Sequence, residues 1–463
     1  MRFDHSLLSI HHSKISSSTW YRQRFDACPH FMFFLGDAHV SAIQKSKYPF
    51  GQRIAYAGFS KNRADWYHSL EELEYTATKI IDIATKNPLL SKEMIAEFYP
   101  AQQKFYVACA AIDATNLHAL SDQQLLDTYT SLANIYTQKL LASPLIDGFA
   151  LSTDRVIARR LQEFLATKKL SEKFVEYFAA LTAPIFLSFL QQEEIDLLHI
   201  TLRPEGEQND LLAAHTAQYF WIQNNYVKDY SVDQDFFAKR LQDFFIGDGA
   251  EYLRERQELP LHNAEKKRAL MDQLDLPSDL RLLFTITDDF NAWQDERKKG
   301  TFWATHYFSL LLEEFSRRSG YSMEELKYCF PPEMDQVLSR QISHEILRQR
   351  FEYCMILWLP EAYDVTIDTG EIVELDRIGT GAVIHTRELK GFSACLGVAR
   401  GPACILESAD EIAKIQTGDI LVAVMTRPDY LPAMKRAAAF VTDEGGITCH
   451  AAIIAREMHK PCI

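Results

Sequence analysis

The sequence predicts a large, mainly α-helical domain followed by a small α/β domain. Between about residue 65 and about residue 355, apolar residues recur at helical spacing, glycines are few and helix-capping patterns occur. After about residue 360, short Val-, Ile- and Ala-rich runs alternate with glycines and short helical patterns, which is typical of α/β folds. At 463 residues the chain is long enough for two to three domains.

Composition limits the kinds of partner. The chain is 47% hydrophobic and 24% charged, as expected for a folded globular protein, and its net charge of -14 would repel a nucleic-acid backbone. Its apolar stretches are shorter than the roughly 20 residues needed to cross a bilayer, and its N-terminus lacks the apolar segment of a signal peptide. The eight cysteines form no CxxC pair. We therefore expect a cytoplasmic protein with neither nucleic-acid nor membrane partners and with no metal site of its own.

Helices in residues 1–355 are predicted from caps and apolar stripes. Three pairs match the reciprocal capping box, in which side chain and backbone satisfy each other at a helix start. They are Ser69 with Glu72, Ser121 with Gln124, and Ser322 with Glu325. One buried stripe is predicted over residues 125–140 and another, rich in aromatic residues, over residues 301–318. The first 65 residues show no persistent period and are predicted to be irregular.

Two segments of the helical domain suggest a site but have plainer interpretations. Residues 215–227 are rich in aromatic and amide side chains suited to a small-molecule pocket, although a packed helix is favoured. A charged cluster could bind a metal-phosphate, although a solvated surface is favoured. Its members are Asp288, Asp289, Asp295, Glu296, Arg297 and Lys298.

The α/β part follows a predicted linker at residues 356–385, with a β-hairpin turning at Asp368-Thr369-Gly370. Strands are then predicted over residues 397–406, 419–424 and 439–442, and helices over residues 409–415 and 431–438. The third strand leads into Gly445-Gly446 and a last helix that starts at His450.

His450 is the candidate for chemistry. A helix N-terminus presents free N–H groups and partial positive charge, so it stabilises an attached anion such as a phosphoryl group. Adjacent glycines let the backbone approach that group, and a neutral imidazole can act as a nucleophile. Taken alone, a histidine at a helix start is more often a cap or a surface residue.

The surrounding residues resemble the active-site signature of the phosphoenolpyruvate-utilising enzymes. That signature is Gly, Gly or Ala, any residue, Ser/Thr/Asn, any residue, the phosphorylated His, two small residues, two aliphatic residues, a small residue, and Arg or Gly. Residues 445–456, GGITCHAAIIAR, fill every place. Upstream sequence from LKGFSACLG onward is also similar, so the resemblance covers about 75 residues.

The resemblance implies a swivelling β/β/α phosphohistidine domain at residues 386–463, with His450 as the catalytic residue. It implies that Gly445, Gly446, Thr448 and Arg456 support the phosphoryl group. Thr448 is also a candidate for regulatory phosphorylation, the alternative being a helix-cap hydroxyl. The implied activity is that of a dikinase-type, pyruvate-water-dikinase-like phosphotransferase that uses Mg²⁺ with ATP or phosphoenolpyruvate at a partner site.

Two departures from the family shape the functional prediction. Family domains continue beyond the place of Pro461–Ile463, so the domain is expected to be C-terminally incomplete. Neither an ATP-grasp domain nor a phosphoenolpyruvate barrel is evident, so a separate ATP-grasp-type nucleotide-binding protein is the expected partner.

Three functions remain open. In the first, His450 carries a phosphoryl group to an acceptor such as pyruvate. In the second, the acceptor is an antibiotic or another small molecule bound by residues 1–355, a candidate acceptor-binding or docking module. Residues 295–334 more loosely resemble the helical segment before the mobile domain in rifampicin phosphotransferase-like and synthase-like proteins, and in the antibiotic kinase that helical region forms the acceptor site. In the third, the chain is a phosphocarrier or regulatory scaffold without catalysis.

Overall fold

The structure is a computed structural model that describes residues 11, 14–141, 144–243, 249–380, 388, 391, 393–407, 409–426, 430–443 and 450–463. Within these residues it is mostly helical, with two small sheets. The strands are β1 Trp20–Asp26, β2 Ala55–Ser60, β3 Arg63–Ser69, β4 Cys354–Trp358, β5 Tyr363–Thr366, β6 Ala403–Leu406, β7 Ile420–Ala423 and β8 Ala439–Thr442.

The helices are numbered in chain order. They are α1 Pro29–Val40, α2 Leu70–Lys86, α3 Leu90–Asp113, α4 Asp122–Leu140, α5 Pro144–Thr167, α6 Phe174–Thr182, α7 Phe189–Thr201, α8 Glu205–Tyr219, α9 Gln234–Asp243, α10 Gly249–Gln273, α11 Ser278–Ser319, α12 Met323–Lys327, α13 Met334–Leu338, α14 His344–Glu352, α15 Thr369–Thr380, α16 Leu431–Arg436 and α17 His450–Glu457. Short 3₁₀ turns cover Ala42–Lys45, Leu117–Ala119, Ser171–Lys173, Pro331–Glu333 and Ala409–Lys414. In the described part of the chain, no helix is both long and apolar enough to cross a bilayer.

The first sheet has five antiparallel strands in the order β1-β3-β2-β4-β5. A two-residue turn joins β2 to β3, and its residues Lys61 and Asn62 both have positive φ, as a type I′ hairpin turn requires. The prediction of an irregular start to the chain is therefore wrong. Residues 20–69 contribute three of the five strands and helix α1.

Both faces of this sheet are covered. On one face Trp66 stacks on Trp358, and α1 packs against them so closely that a Cβ on its Gly36 would lie 2.2 Å from the Trp358 ring. On the other face, α15 buries Ile372 and Leu375. A strand that is covered on both faces can carry apolar residues at every position. The sequence of these strands therefore does not alternate clearly between apolar and polar residues.

The predicted hairpin at residues 368–370 is wrong in position. The hairpin is formed by β4 and β5, one strand earlier, and EIVELD belongs to helix α15. Asp368 begins this helix, because its Oδ1 accepts the Glu371 N–H at 2.9 Å. Ile372, Leu375 and Gly379 then recur at helical spacing on its buried face. The predicted boundary at residue 356 falls inside β4, and the division into domains remains a prediction.

The helical prediction for the middle of the chain is confirmed. The Ser121–Gln124 and Ser322–Glu325 pairs form reciprocal capping boxes. Ser69 caps α2, but the Glu72 carboxylate instead accepts the backbone N–H groups of Arg53 and Ile54. Both predicted stripes are mainly buried. On α4 the buried residues are Leu125, Tyr129, Leu132, Tyr136 and Leu140, and on α11 they include Phe308, Leu311, Leu312 and Phe315.

The second sheet is parallel, with the order β6-β7-β8, and α16 lies between β7 and β8 in sequence. The predicted strands are observed at residues 403–406, 420–423 and 439–442 and the predicted second helix at residues 431–436, while residues 409–414 form a 3₁₀ turn in place of a helix. The chain thus alternates strands and helices, as the glycine spacing indicated.

Candidate functional site

His450 is the first residue of α17, which follows β8 in the parallel sheet. Loops that connect the carboxyl end of a parallel strand to a helix N-terminus are common places for phosphate groups, because the first backbone N–H groups of the helix are free to donate. Gly445, Gly446 and Thr448 lie outside the described residues. Their predicted roles therefore stay predictions.

Three alanines fix α17 on the sheet. Ala451, Ala452 and Ala455 are buried, in one apolar cluster with Phe440 of β8 and Met434 of α16. Small side chains allow a helix to lie close to its neighbours. The position of His450 is therefore set by the packing of the helix that it begins.

The chain beyond α17 returns to β8. Phe440 donates its N–H to the Pro461 carbonyl at 2.9 Å and accepts the N–H of Ile463 at 3.1 Å, while Thr442 donates to the Ile463 carbonyl at 2.9 Å. The N-terminal end of α17 follows β8 in sequence, and the residues after its C-terminal end form hydrogen bonds with β8. Both ends of the helix are thus connected to the same strand.

Packing of this helix can be tested with Ala455→Leu. We expect the larger side chain to destabilise the protein by about 1–3 kcal/mol, because Ala455 has no exposed surface and the added atoms must push α17 away from β8. Urea unfolding of the full chain measures this change. Ala413→Leu makes the same change at an exposed position and should stay within about 0.5 kcal/mol of wild type. Equal unfolding midpoints for the two variants would contradict the packing argument.

Lys460 was not identified from the sequence. Its Nζ donates to the carbonyl oxygens of Met434, Lys435 and Ala437 at 3.0, 2.7 and 2.5 Å, at the C-terminal end of α16. A cation at this end of a helix satisfies carbonyls that have no partner within the helix. Lysine after a helix end is too common in sequences to have signalled this role.

Arg456 lies in the last turn of α17, about 9 Å along the helix axis from His450 at the usual rise per residue. Its guanidinium is near the Cys395 thiol, where burial raises the pKa of the thiol and Arg456 offsets part of that increase. Support of a phosphoryl group by Arg456 stays a prediction.

Two kinds of contact connect this region to the rest of the chain. Arg63 of β3 and Glu407 form an ion pair at 2.9 Å, with both side chains largely exposed. The apolar cluster that contains the α17 alanines also includes Leu161 of α5 and Phe178 of α6. An exposed ion pair contributes little, so the apolar contact is the stronger of the two.

The charged cluster at residues 288–298 is mostly not a solvated surface, so the favoured interpretation is wrong. Asp288 is buried and pairs with Lys267, and Asp289 accepts the Ser91 hydroxyl at 2.6 Å. Arg297 makes a bidentate pair with Asp147 at 2.7 and 3.0 Å. Helix α11 packs against other helices along much of its length. Its charged residues therefore pair with side chains of those helices, and water solvates them less. Within the described residues, no three His, Cys, Asp or Glu side chains are grouped as metal ligands.

Asp147 and Lys139 form a buried polar centre with this stretch. His39 Nε2 lies 3.0 Å from Asp147 Oδ2, the oxygen that Arg297 also contacts at 2.7 Å. Burial would raise the pKa of Asp147, but Arg297 and His39 more than offset it and hold this pKa well below its usual range. Lys139 Nζ lies 5.1 Å from the centre of the Tyr136 ring. Burial, followed by the charge of Arg297, lowers the pKa of Lys139 to about 7.

The lowered pKa of Lys139 predicts a pH dependence of stability. Between pH 7 and the ordinary lysine pKa of 10.5, the unfolded chain holds a proton that the folded chain has lost, so the free energy of unfolding rises with pH in this range. We expect the wild type to gain about 3.5 kcal/mol relative to Lys139→Met between pH 7 and pH 10, at about 1.4 kcal/mol per pH unit over most of this range. Urea unfolding at several pH values measures the difference. Lys104→Met, at an exposed position, should show no such divergence.

Some of residues 215–227 fit the prediction of a packed helix, and others fit the prediction of a small-molecule pocket. His215 and Tyr219 are buried on α8, as expected for a packed helix. Gln218, Tyr219 and Trp221 also line a cavity of about 380 Å³, together with residues of α3, α7 and α11. The pocket interpretation, which the sequence did not favour, therefore applies to the end of this helix.

Comparison with known proteins concerns the C-terminal part of the chain. Residues 415–463 match the family described as "PEP-utilising enzyme, mobile domain". A protein named "Probable phosphoenolpyruvate synthase" from Methanothermobacter thermautotrophicus is 54% identical over 82 residues, which are 17% of this chain and 12% of that protein. Phosphoenolpyruvate synthase of Pyrococcus furiosus is 56% identical over 75 residues, 16% of this chain and 9% of that protein.

A third relative, phosphoenolpyruvate synthase of Deinococcus radiodurans, is 48% identical over 85 residues, 18% of this chain and 10% of that protein. The matched segment thus spans about a tenth of the length of these curated relatives. Resemblance to phosphoenolpyruvate-utilising enzymes is confirmed for this region.

Proposed function

We propose, from the premise that residues 415–463 are a mobile domain of the phosphoenolpyruvate-utilising enzymes, that His450 carries a phosphoryl group between two sites. The observation that supports this most is the position of His450 at the start of α17, after a parallel strand. The first N–H groups of the helix and its dipole favour an anion there. The buried alanines behind it hold the helix against β8.

The proposed transfer uses the neutral imidazole as nucleophile. A ring nitrogen of His450 attacks the phosphorus of phosphoenolpyruvate, and the bond from phosphorus to the enol oxygen breaks. The leaving enolate keeps the electron pair and takes up a proton to become pyruvate. The reverse sequence, with His450 first loaded from the β-phosphoryl group of ATP, yields phosphoenolpyruvate. Mg²⁺ bound with the donor would neutralise phosphate charge.

The nucleotide and pyruvate sites are proposed to lie outside this chain, on an ATP-grasp-type protein and a second partner. Transfer between distant sites requires the mobile domain to move. The exposed Arg63–Glu407 pair would be lost at small cost, whereas the apolar contacts to α5 and α6 would have to separate.

Phosphate labelling of the purified full chain tests this proposal. The protein is incubated with ³²P-phosphoenolpyruvate, and separately with β-³²P-ATP and an ATP-grasp domain of the family. We expect label that is labile to acid, stable to alkali and located in the peptide that contains His450. Folded protein that takes up no label from either donor, or takes up only acid-stable label, would overturn the proposal.

A second candidate is favoured by the cavity among the helices, namely transfer from His450 to a small molecule bound by residues 1–355. Chasing labelled protein with pyruvate and with a panel of hydroxylated compounds, including rifampicin, separates the two candidates. Label that moves to a panel compound and not to pyruvate supports the second candidate. Label that remains on the protein with every acceptor supports a phosphocarrier or regulatory role.

A further inference from the structure

The cavity of about 380 Å³ lies between α3, α7, the end of α8 and α11. This volume suits a small organic molecule, since ligand pockets start at about 300 Å³. Five aromatic residues contribute to its walls. They are Tyr106, Phe189, Tyr219, Trp221 and Trp303. Aromatic faces carry partial negative charge, so they attract cations as well as apolar groups.

The Asp295 carboxylate is part of the lining. Its Oδ2 accepts the Phe189 N–H at 2.8 Å, which holds the side chain at the start of α7. Among the described residues no Lys, Arg or His nitrogen forms an ion pair with it within 4.0 Å, although Lys298 and Lys299 are near enough to affect it. A carboxylate in such surroundings is stabilised by any cation that enters the cavity.

The other two charges of the lining already interact with each other. Glu296 Oε1 accepts the Gln102 amide at 2.5 Å and lies 3.7 Å from Lys299 Nζ. Asp295 is therefore the charged residue of the lining that forms no ion pair within 4.0 Å among the described residues. The negative charge of Asp295 favours the entry of a cation over that of an anion.

We propose that this cavity binds an organic cation, in which an ammonium group is attached to an aromatic or apolar body. The ammonium group pairs with Asp295 and the body packs against the rings of Trp221 and Trp303, which contact each other in the cavity wall. This inference concerns binding alone. It stands independently of the phosphoryl transfer proposed above, and its test uses no phosphoryl donor.

Because Asp295 can be protonated, the pH dependence of binding provides a second test of its role. Burial is the main cause that raises its pKa to about 7, so the carboxylate gains its charge between pH 6 and pH 8. Affinity for an ammonium ligand should rise over this range. The charged groups that face Asp295 are Lys298, Glu296 and Lys299 on its own helix, while α3, α7 and α8 contribute neutral tyrosine and glutamine side chains to the cavity.

Titration calorimetry on the full chain tests the inference. Phenethylamine and benzyltrimethylammonium are the cationic probes, 2-phenylethanol is the neutral match and phenylacetate the anionic one. We expect a dissociation constant of about 1 mM or below for a cationic probe, a reasonable affinity for so small a ligand. The alcohol should bind at least about 10-fold more weakly and the anion more weakly still.

Asp295→Asn keeps the shape of the side chain and removes its charge. We expect this variant to lose about 10-fold or more in affinity for the cations and to lose the dependence on pH between 6 and 8. Asp279→Asn, at the exposed start of the same helix, should bind as the wild type does. Circular dichroism and thermal melting confirm that both variants fold. The inference would be overturned if folded wild type binds neither cation, or if Asp295→Asn binds them equally well.

Discussion

His450→Ala is expected to take up no acid-labile phosphate under conditions that label the wild type. The expected loss is at least about 100-fold, because the imidazole is the proposed nucleophile and alanine offers no atom to which phosphorus can bond. Alanine is well tolerated near a helix start that is followed by two further alanines, so α17 should still form. Filter-bound radioactivity after alkaline washing measures the label.

His459→Ala is the matched control for this variant. His459 lies in the same C-terminal segment but is exposed and beyond the end of α17. It should be labelled as the wild type is. Retention of acid-labile label in His450→Ala would show that another residue carries the phosphoryl group, and it would contradict the proposed function directly.

Arg297→Met is expected to reduce the free energy of unfolding by about 3–5 kcal/mol, as is usual when one partner of a buried ion pair is removed. The Arg297 side chain is 11% exposed and that of Asp147 17% exposed, and two hydrogen bonds join them. Without the guanidinium, the Asp147 carboxylate stays in a desolvated position with His39 as its remaining partner. Urea unfolding gives the difference in stability.

The pH dependence of this deficit distinguishes an unpaired charge from a simple packing defect. Without Arg297, burial is opposed by His39 alone, so the pKa of Asp147 is higher than in the wild type and the deficit in stability shrinks as pH falls. Arg297→Met combined with Asp147→Leu should recover much of the loss, because neither charge is then buried alone. Arg377→Met, at a position 68% exposed, is the surface control. A deficit independent of pH, and unchanged in the double variant, would be evidence against this explanation.

The sequence was sufficient to predict the features that depend on residues close together in the chain. The capping boxes at Ser121 and Ser322 depend on residues three positions apart, and the order of strands and helices after residue 397 follows the spacing of glycines. The five-stranded sheet was missed because its central strands are covered on both faces and because their partners lie far away in sequence. Residues 369–380 alternate apolar and polar side chains in part, and only the Asp368 cap and the packing on the sheet select a helix.

The candidate sites also differ in whether their residues are close together in the sequence. The signature around His450 occupies one continuous segment, so the sequence alone could identify it. The cavity is assembled from residues between Gln103 and Trp303, on four helices and in the loops beside two of them, and no pattern within any single helix signals it. The charged stretch at residues 288–298 was misjudged for the same reason, because Asp147 and Lys267, which neutralise its charges, belong to other helices.

The placement of β4 beside β2 has a consequence for biosynthesis. Helices α2 to α14 all lie between these two strands in sequence, so β2 and β3 leave the ribosome long before β4 is made. During that interval one edge of β2 has no strand to pair with, and an unpaired edge invites association with other nascent chains. Helices that fold during this interval can shield the edge, and the last step of sheet formation must wait until translation has passed Thr366, where β5 ends.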